Sequence, residues 1–156
     1  MSSRRPKTRV FLIEDHPATA RAVKAFLELK ECAVEVAFDV CSALKMESKI
    51  RFDVLLCDLN LPDGTGWDLL EQLRQASPVR AIAFSAFDEP EHIARSKKAG
   101  FAEYVVKGSG PEALLEAIKR AAEGKGRLLT PAAVNARAQR GRSAPIQSID
   151  PDALAV

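Results

Sequence analysis

The chain has 156 residues, of which 47% are hydrophobic and 28% charged, with a formal net charge of +2. That length suits one compact core, and so small a charge does not point to a nucleic-acid partner. No apolar run approaches the roughly 18 residues of a membrane span, and the basic opening MSSRRPKTR lacks the apolar stretch of a secretory signal.

The chain is therefore expected in the cytoplasm, away from membranes, with residues 1–7 as a solvated lead-in. Five short apolar runs then recur: VFLI (10–13), VEVAF (34–38), VLLC (54–57), AIAF (81–84) and YVV (104–106). Each has the length of a strand. Four are apolar at every position, as parallel strands covered on both faces must be.

Helical spacing fills the gaps. Residues 17–29 open with Pro17 in the first turn and place Ala22, Val23, Phe26 and Leu27 on one face. A helix is expected over about 39–48. Residues 66–76 carry Leu69, Leu70 and Leu73. The helix expected over 89–99 ends at Gly100 and is poor in apolar residues, with Ile93 nearly alone, so it should be loosely held. Residues 111–123 begin with Pro111, present Leu114, Leu115, Ile118 and Ala121, and stop at Gly124.

This alternation predicts right-handed βαβ units in a three-layer α/β domain over residues 8–126. Beyond it, 127–156 should hold one short helix capped by Thr130 and a polar, disordered tail, with no output domain. Cys32, Cys41 and Cys57 fit no zinc spacing and read as reduced thiols.

The residues that follow the strands carry the chemistry. In a parallel sheet they share the carboxyl edge, where open α/β folds bind ligands. Glu14, Asp15 and His16 follow the first run, Asp58 to Asn60 the third, Ser85 to Phe87 the fourth, and Lys107 to Ser109 the fifth. If the first and third strands are neighbours, Glu14, Asp15 and Asp58 converge. Three carboxylates repel unless a cation lies among them, and hard oxygen donors favour Mg²⁺.

Lys107 beside them completes a phosphate site, with the Ser85 hydroxyl flanking it. A carboxylate there can act as nucleophile. Asp58 is central and precedes what reads as a flexible loop, so it is the candidate. His16 fits a helix-entry turn rather than a ligand, and His92 reads as a solvated surface residue.

The motifs FLIEDHP, VLLCDLNLPDGTG, AIAFSAF and YVVK together make residues 8–124 resemble the receiver domain of two-component response regulators. The resemblance implies a flavodoxin-like doubly wound (βα)5 sandwich with a parallel sheet of order 2-1-3-4-5. It implies Mg²⁺-dependent acceptance of a phosphoryl group on Asp58 from a histidine kinase or phosphotransfer protein. Mg²⁺ would be held by Glu14, Asp15, Asp58 and the Asn60 carbonyl, and the phosphoryl group by Lys107.

In that family Ser85 is the switch hydroxyl and Tyr104 the coupled aromatic. Asn60 and Phe87 flank the path of the water that removes the phosphate. Such a domain is a signalling module rather than an enzyme with an external substrate. Two positions depart from the pattern: Glu14 replaces the commoner aspartate, and Gly108 stands where proline is frequent.

A haloacid-dehalogenase-like phosphatase would need an aspartate at position 60, which is Asn60. An FMN carrier would not place Glu14 and Asp15 against its phosphate. The expected output is a stand-alone receiver that binds a downstream protein through the 89–123 face, with a homodimer on phosphorylation left open and no direct contact to nucleic acid. The alternative is a receiver separated from a larger DNA-binding regulator or hybrid histidine kinase.

Overall fold

The computed structural model describes residues 7–124; the expectations for residues 1–6 and for the short helix and tail of 127–156 lie outside them. Twelve elements follow in order: β1 (Thr8–Ile13), α1 (Pro17–Leu29), β2 (Cys32–Ala37), α2 (Val40–Glu47), β3 (Val54–Cys57), β4 (Asn60–Leu61), β5 (Gly64–Thr65), α3 (Gly66–Ala76), β6 (Ala81–Ser85), α4 (Pro90–Ala99), β7 (Glu103–Val106) and α5 (Pro111–Glu123).

The main sheet runs β2-β1-β3-β6-β7, and every pairing in it is parallel. Counted along that sheet alone, this is the expected order 2-1-3-4-5. β1 and β3 are neighbours, with Ile13 opposite Cys57. The order of strand addition reverses at this pair, β2 lying to one side of β1 and β3 to the other, so the crevice beyond their carboxyl ends is the natural ligand position of such a sheet.

Side-chain alternation along β1 separates two cores. Val10 and Leu12 pack with Leu27 of α1 and Leu114 and Ile118 of α5. Phe11 and Ile13 pack with Ala43 of α2 and Leu69, Leu70 and Leu73 of α3. The sheet is thus covered on both faces, which is why β3 and β6 are buried at every residue. Each such leucine is worth roughly 1.5–3 kcal/mol on burial.

Helices α1, α3 and α5 have the bounds their spacing predicts. The helix expected from 39 begins at Val40, because Asp39 is its N-cap and accepts from Ser42 N–H. α5 ends at Gly124 with φ 56°, the left-handed conformation that favours glycine.

Two expectations change. The segment after Asp58 is not a flexible loop. It forms the antiparallel ribbon of β4 and β5, and Asp63 at its tip accepts from the N–H groups of Val40 and Cys41 at 2.7 and 2.9 Å. These bonds use two donors that the start of α2 would otherwise leave open.

α4 is short of apolar anchors as expected, but Ser96, not Ile93, is its buried residue. Ser96 Oγ accepts from Trp67 Nε1 at 2.9 Å and donates to the His92 carbonyl at 2.8 Å. A polar contact thus holds this helix to α3. Among the described residues, no helix is long and apolar enough to cross a membrane.

Candidate functional site

Backbone pairing sets the strand ends side by side. Asp58 N–H donates to the Ile13 carbonyl at 2.9 Å, and Lys107 N–H to the Ser85 carbonyl at 2.7 Å. Glu14 and Asp15 leave β1, Asp58 leaves β3, Ser85 ends β6 and Lys107 follows β7. One carboxylate oxygen from each of Glu14, Asp15 and Asp58 lies within 4.8 Å of the other two. Glu14 is fully buried and Asp58 is 7% exposed, whereas Asp15 faces solvent.

Lys107 Nζ reaches into this group, 2.7 Å from Glu14 Oε1 and 2.9 Å from Asp58 Oδ2. The contact with Asp58 is a well-formed hydrogen bond. The contact with Glu14 is an ion pair to a fully buried carboxylate. The other Glu14 oxygen accepts from His16 N–H at 3.1 Å.

Asn60 N–H donates to Asp58 Oδ1 at 3.0 Å. With Lys107 on Oδ2, both oxygens of Asp58 are oriented. Gly66 lies directly beneath: a Cβ there would stand 2.6 Å from the Asp58 carbonyl oxygen. Only glycine lets the start of α3 approach the acid so closely.

The charges follow from this packing. Burial raises the Glu14 pKa above its ordinary 4.5, outweighing its contacts with Lys107 and the His16 N–H. Burial pulls the Lys107 ammonium the other way, but its contacts with Glu14 and Asp58 prevail and hold its pKa above 10.5. Burial also raises the neighbouring Cys57 thiol, so it stays protonated; it donates to the Asp58 carbonyl. Three carboxylates against one ammonium leave the cluster negative. An oxygen-only donor set with this surplus of negative charge fits a hard divalent cation.

The remaining expected residues lie beside this cluster. Ser85 is buried, and its Oγ accepts from Phe87 N–H at 3.1 Å. Tyr104 is half-buried and donates through its hydroxyl to the Phe87 carbonyl at 2.7 Å. Ser85 and Tyr104 thus meet through the Phe87 backbone. Phe87 is 43% exposed, and its ring stacks on His92 with centroids 4.9 Å apart.

His92 is accordingly half-buried rather than solvated. The imidazole stands between Phe87 and Trp67. His16 occupies the N-cap position of α1 without a capping bond from its ring, and it meets Glu14 through its backbone N–H. Gly108, where a proline is frequent, takes φ 95° with open space around it.

Asp63, Gly66 and Trp67 were not singled out by sequence reading. The glycines in DGTGW were a signal for tight backbone contact. Nothing in that stretch revealed which neighbours Asp63 and Trp67 would meet.

A doubly wound parallel sheet with three acids and a lysine at its carboxyl edge defines a signalling receiver fold. The family model of the response regulator receiver domain matches residues 10–119, and the chain belongs to that family. The nitrate/nitrite response regulator NarP of Escherichia coli is 34% identical over 74% of this chain and 55% of its own length. Two-component response regulator ORR1 of Oryza sativa is 32% identical, over 69% and 52% respectively.

The chain spans about half the length of the curated relatives it matches. Among solved structures, a CheY-like receiver domain from Methanospirillum hungatei aligns with a TM-score of 0.70 at 29% identity, covering 75% of this chain and 94% of that one. Chemotaxis protein CheY4 of Vibrio cholerae aligns with a TM-score of 0.70 at 28% identity, over 74% and 98% respectively.

Proposed function

We propose that this receiver accepts a phosphoryl group on Asp58 from the phosphohistidine of a kinase or phosphotransfer protein. The observation that carries this reading is Lys107 Nζ lying between Glu14 Oε1 and Asp58 Oδ2, at 2.7 and 2.9 Å. An ammonium already paired with the nucleophile is placed to neutralise an incoming phosphoryl oxygen.

Glu14, Asp15, Asp58 and the Asn60 carbonyl would hold Mg²⁺. When bound, the ion would supply charge neutralisation for the phosphoryl oxygens. The Asp58 carboxylate attacks phosphorus, the phosphorus–nitrogen bond to the donor imidazole breaks, and the imidazole leaves as phosphate joins Asp58. Asn60 N–H and Lys107 fix the rotation of the carboxylate before attack.

Ser85 then turns its hydroxyl toward the phosphoryl oxygens and releases Phe87 N–H. Because Tyr104 holds the Phe87 carbonyl, the change passes to β7 and the 89–123 face. That face would contact a downstream protein or a second copy of the chain.

The test is incubation with acetyl phosphate and Mg²⁺, followed by intact mass. Wild type should gain one phosphoryl group and Asp58→Asn none. An undiminished adduct in the variant would overturn the assignment.

Asn60 and Phe87 are proposed to set how long the phosphate lasts, because they flank the path of the attacking water. Phe87→Glu supplies a polar group that can orient water, so first-order loss of phosphate should quicken severalfold. An unchanged rate would remove Phe87 from this role.

A second reading concerns output and rests on length. The chain covers 58% of MctR of Rhizobium johnstonii, which is named a transcriptional regulatory protein. A receiver that governs a DNA-binding partner domain is the alternative to output by protein contact alone. Sedimentation of the phosphorylated chain, alone and with candidate target proteins, separates self-association from heterologous binding.

A further inference from the structure

Phe87 is gripped at three points. Its N–H is held by Ser85 Oγ, its carbonyl by the Tyr104 hydroxyl, and its ring by the His92 imidazole at 4.9 Å and 17° between planes. The first two contacts involve the residues already read as the switch. The third belongs to α4 and has no part in that reading.

The imidazole is itself backed by Trp67 of α3, with centroids 5.8 Å apart. Trp67 is fixed in turn. Its Nε1 donates to Ser96 Oγ at 2.9 Å, and the Arg95 guanidinium lies 3.8 Å above its ring. Ser96 Oγ closes the circuit by donating to the His92 carbonyl. Glu89 Oε2 lies 3.7 Å from His92 Nδ1, at the ring's edge. Trp67 also directly follows Gly66, the residue pressed against the Asp58 carbonyl.

We propose that His92 is a positioning residue: held between Phe87 and Trp67, it latches the segment after Ser85 to α4 and limits how readily Ser85 turns to a phosphoryl group on Asp58. Turning Ser85 gives up its bond to Phe87 N–H, and Phe87 can follow only by leaving the imidazole. The stack therefore weights the equilibrium toward the conformation in which Ser85 Oγ accepts from Phe87. An aromatic pair of this kind shifts a two-state population by about threefold to tenfold. Because α4 buries only Ser96, it has few other contacts with which to hold the segment.

This inference rests on the proposed phosphoryl acceptance, and two variants separate the two. His92→Ala removes the ring, whereas His92→Phe keeps an aromatic face of similar size. With acetyl phosphate and Mg²⁺, His92→Ala should gain phosphate about threefold to tenfold faster than wild type, and His92→Phe should match wild type.

Trp67, the single tryptophan of the chain, reports the same event. Its emission should shift in His92→Ala and return toward wild type in His92→Phe. A purely structural role would lower the melting temperature without speeding phosphorylation. Equal rates in all three proteins would overturn the latch.

If wild type takes no phosphoryl group, the reading of Asp58 fails, and the latch is still decided by amide exchange without a phosphodonor. Exchange over 86–96 should quicken in His92→Ala and be restored in His92→Phe. Unchanged exchange would overturn it.

Discussion

Glu14 is fully buried, and its folded-state pKa lies above 4.5 because burial penalises the carboxylate more than Lys107 and the His16 N–H relieve it. From 4.5 up to that raised value the folded chain binds more protons than the unfolded chain. Stability must therefore fall as pH rises through this window. Glu14→Gln removes the group, so the unfolding free energy of the variant relative to wild type should rise across the window, by at most about 1.4 kcal/mol per pH unit, and its melting temperature with it. Thermal melts of both proteins from pH 4.5 upward check this; a constant difference would contradict it. Lys107 contributes at the other end. Its raised pKa means that its stabilisation is present below 10.5 and is lost as pH rises through the folded value. Both shifts depend on burial and on one shared contact, neither of which appears in the order of residues. What was legible at this scale was the membership of the cluster, because each acid and the lysine follow an apolar run.

α3 shows how an element's starting point serves the site. Thr65 caps it by accepting from Asp68 N–H, and Gly66 at its first position lies against the Asp58 backbone. Gly66→Ala would place a methyl 2.6 Å from the Asp58 carbonyl oxygen and 3.0 Å from Leu59 Cα. Both obstacles are backbone and cannot swing aside. The substitution should cost about 1–3 kcal/mol in urea unfolding and slow phosphate gain by displacing Asp58. Full stability with unchanged phosphorylation would show that the helix start can retreat without moving the acid. The bounds of α1, α3 and α5 were readable because an amphipathic stripe and a proline or glycine stop fell together. The ribbon of β4 and β5 was not, since two-residue strands carry no periodicity. α4 was readable as a weak helix, but its attachment through Ser96 and Trp67 was hidden. A serine anchors a helix only when a particular donor lies across from it.

The sheet order brings β6 and β7 together, and with them Ser85, Tyr104 and Lys107. A phosphoryl group on Asp58 would draw on contacts from both strands at once, so the response should spread over the face formed by α4, β7 and α5 rather than remain in one loop. Amide exchange of the phosphorylated and unphosphorylated protein should differ over 86–106 and extend into the start of α5. The α1 side and β2 should be unchanged. α4 is the element expected to change most, because it contributes one buried residue where α5 contributes four. Uniform exchange in the two states would remove this face as the output surface.

By itself the sequence determined the class of fold, the strand order implied by its resemblance, and the set of acids, lysine and hydroxyl that meet at the carboxyl edge. Those follow from local signals: apolar runs of strand length, helical spacing, and charged residues placed just after each run. Tertiary structure alone decided that Glu14 is buried against Lys107 while Asp15 faces water. It also decided that Asp63 holds the start of α2, and that His92 meets both Phe87 and Trp67. Each of these depends on residues far apart in the chain arriving within a few ångströms. Packing geometry, rather than residue type, sets whether a carboxylate is solvated, a loop is pinned or an imidazole has a partner.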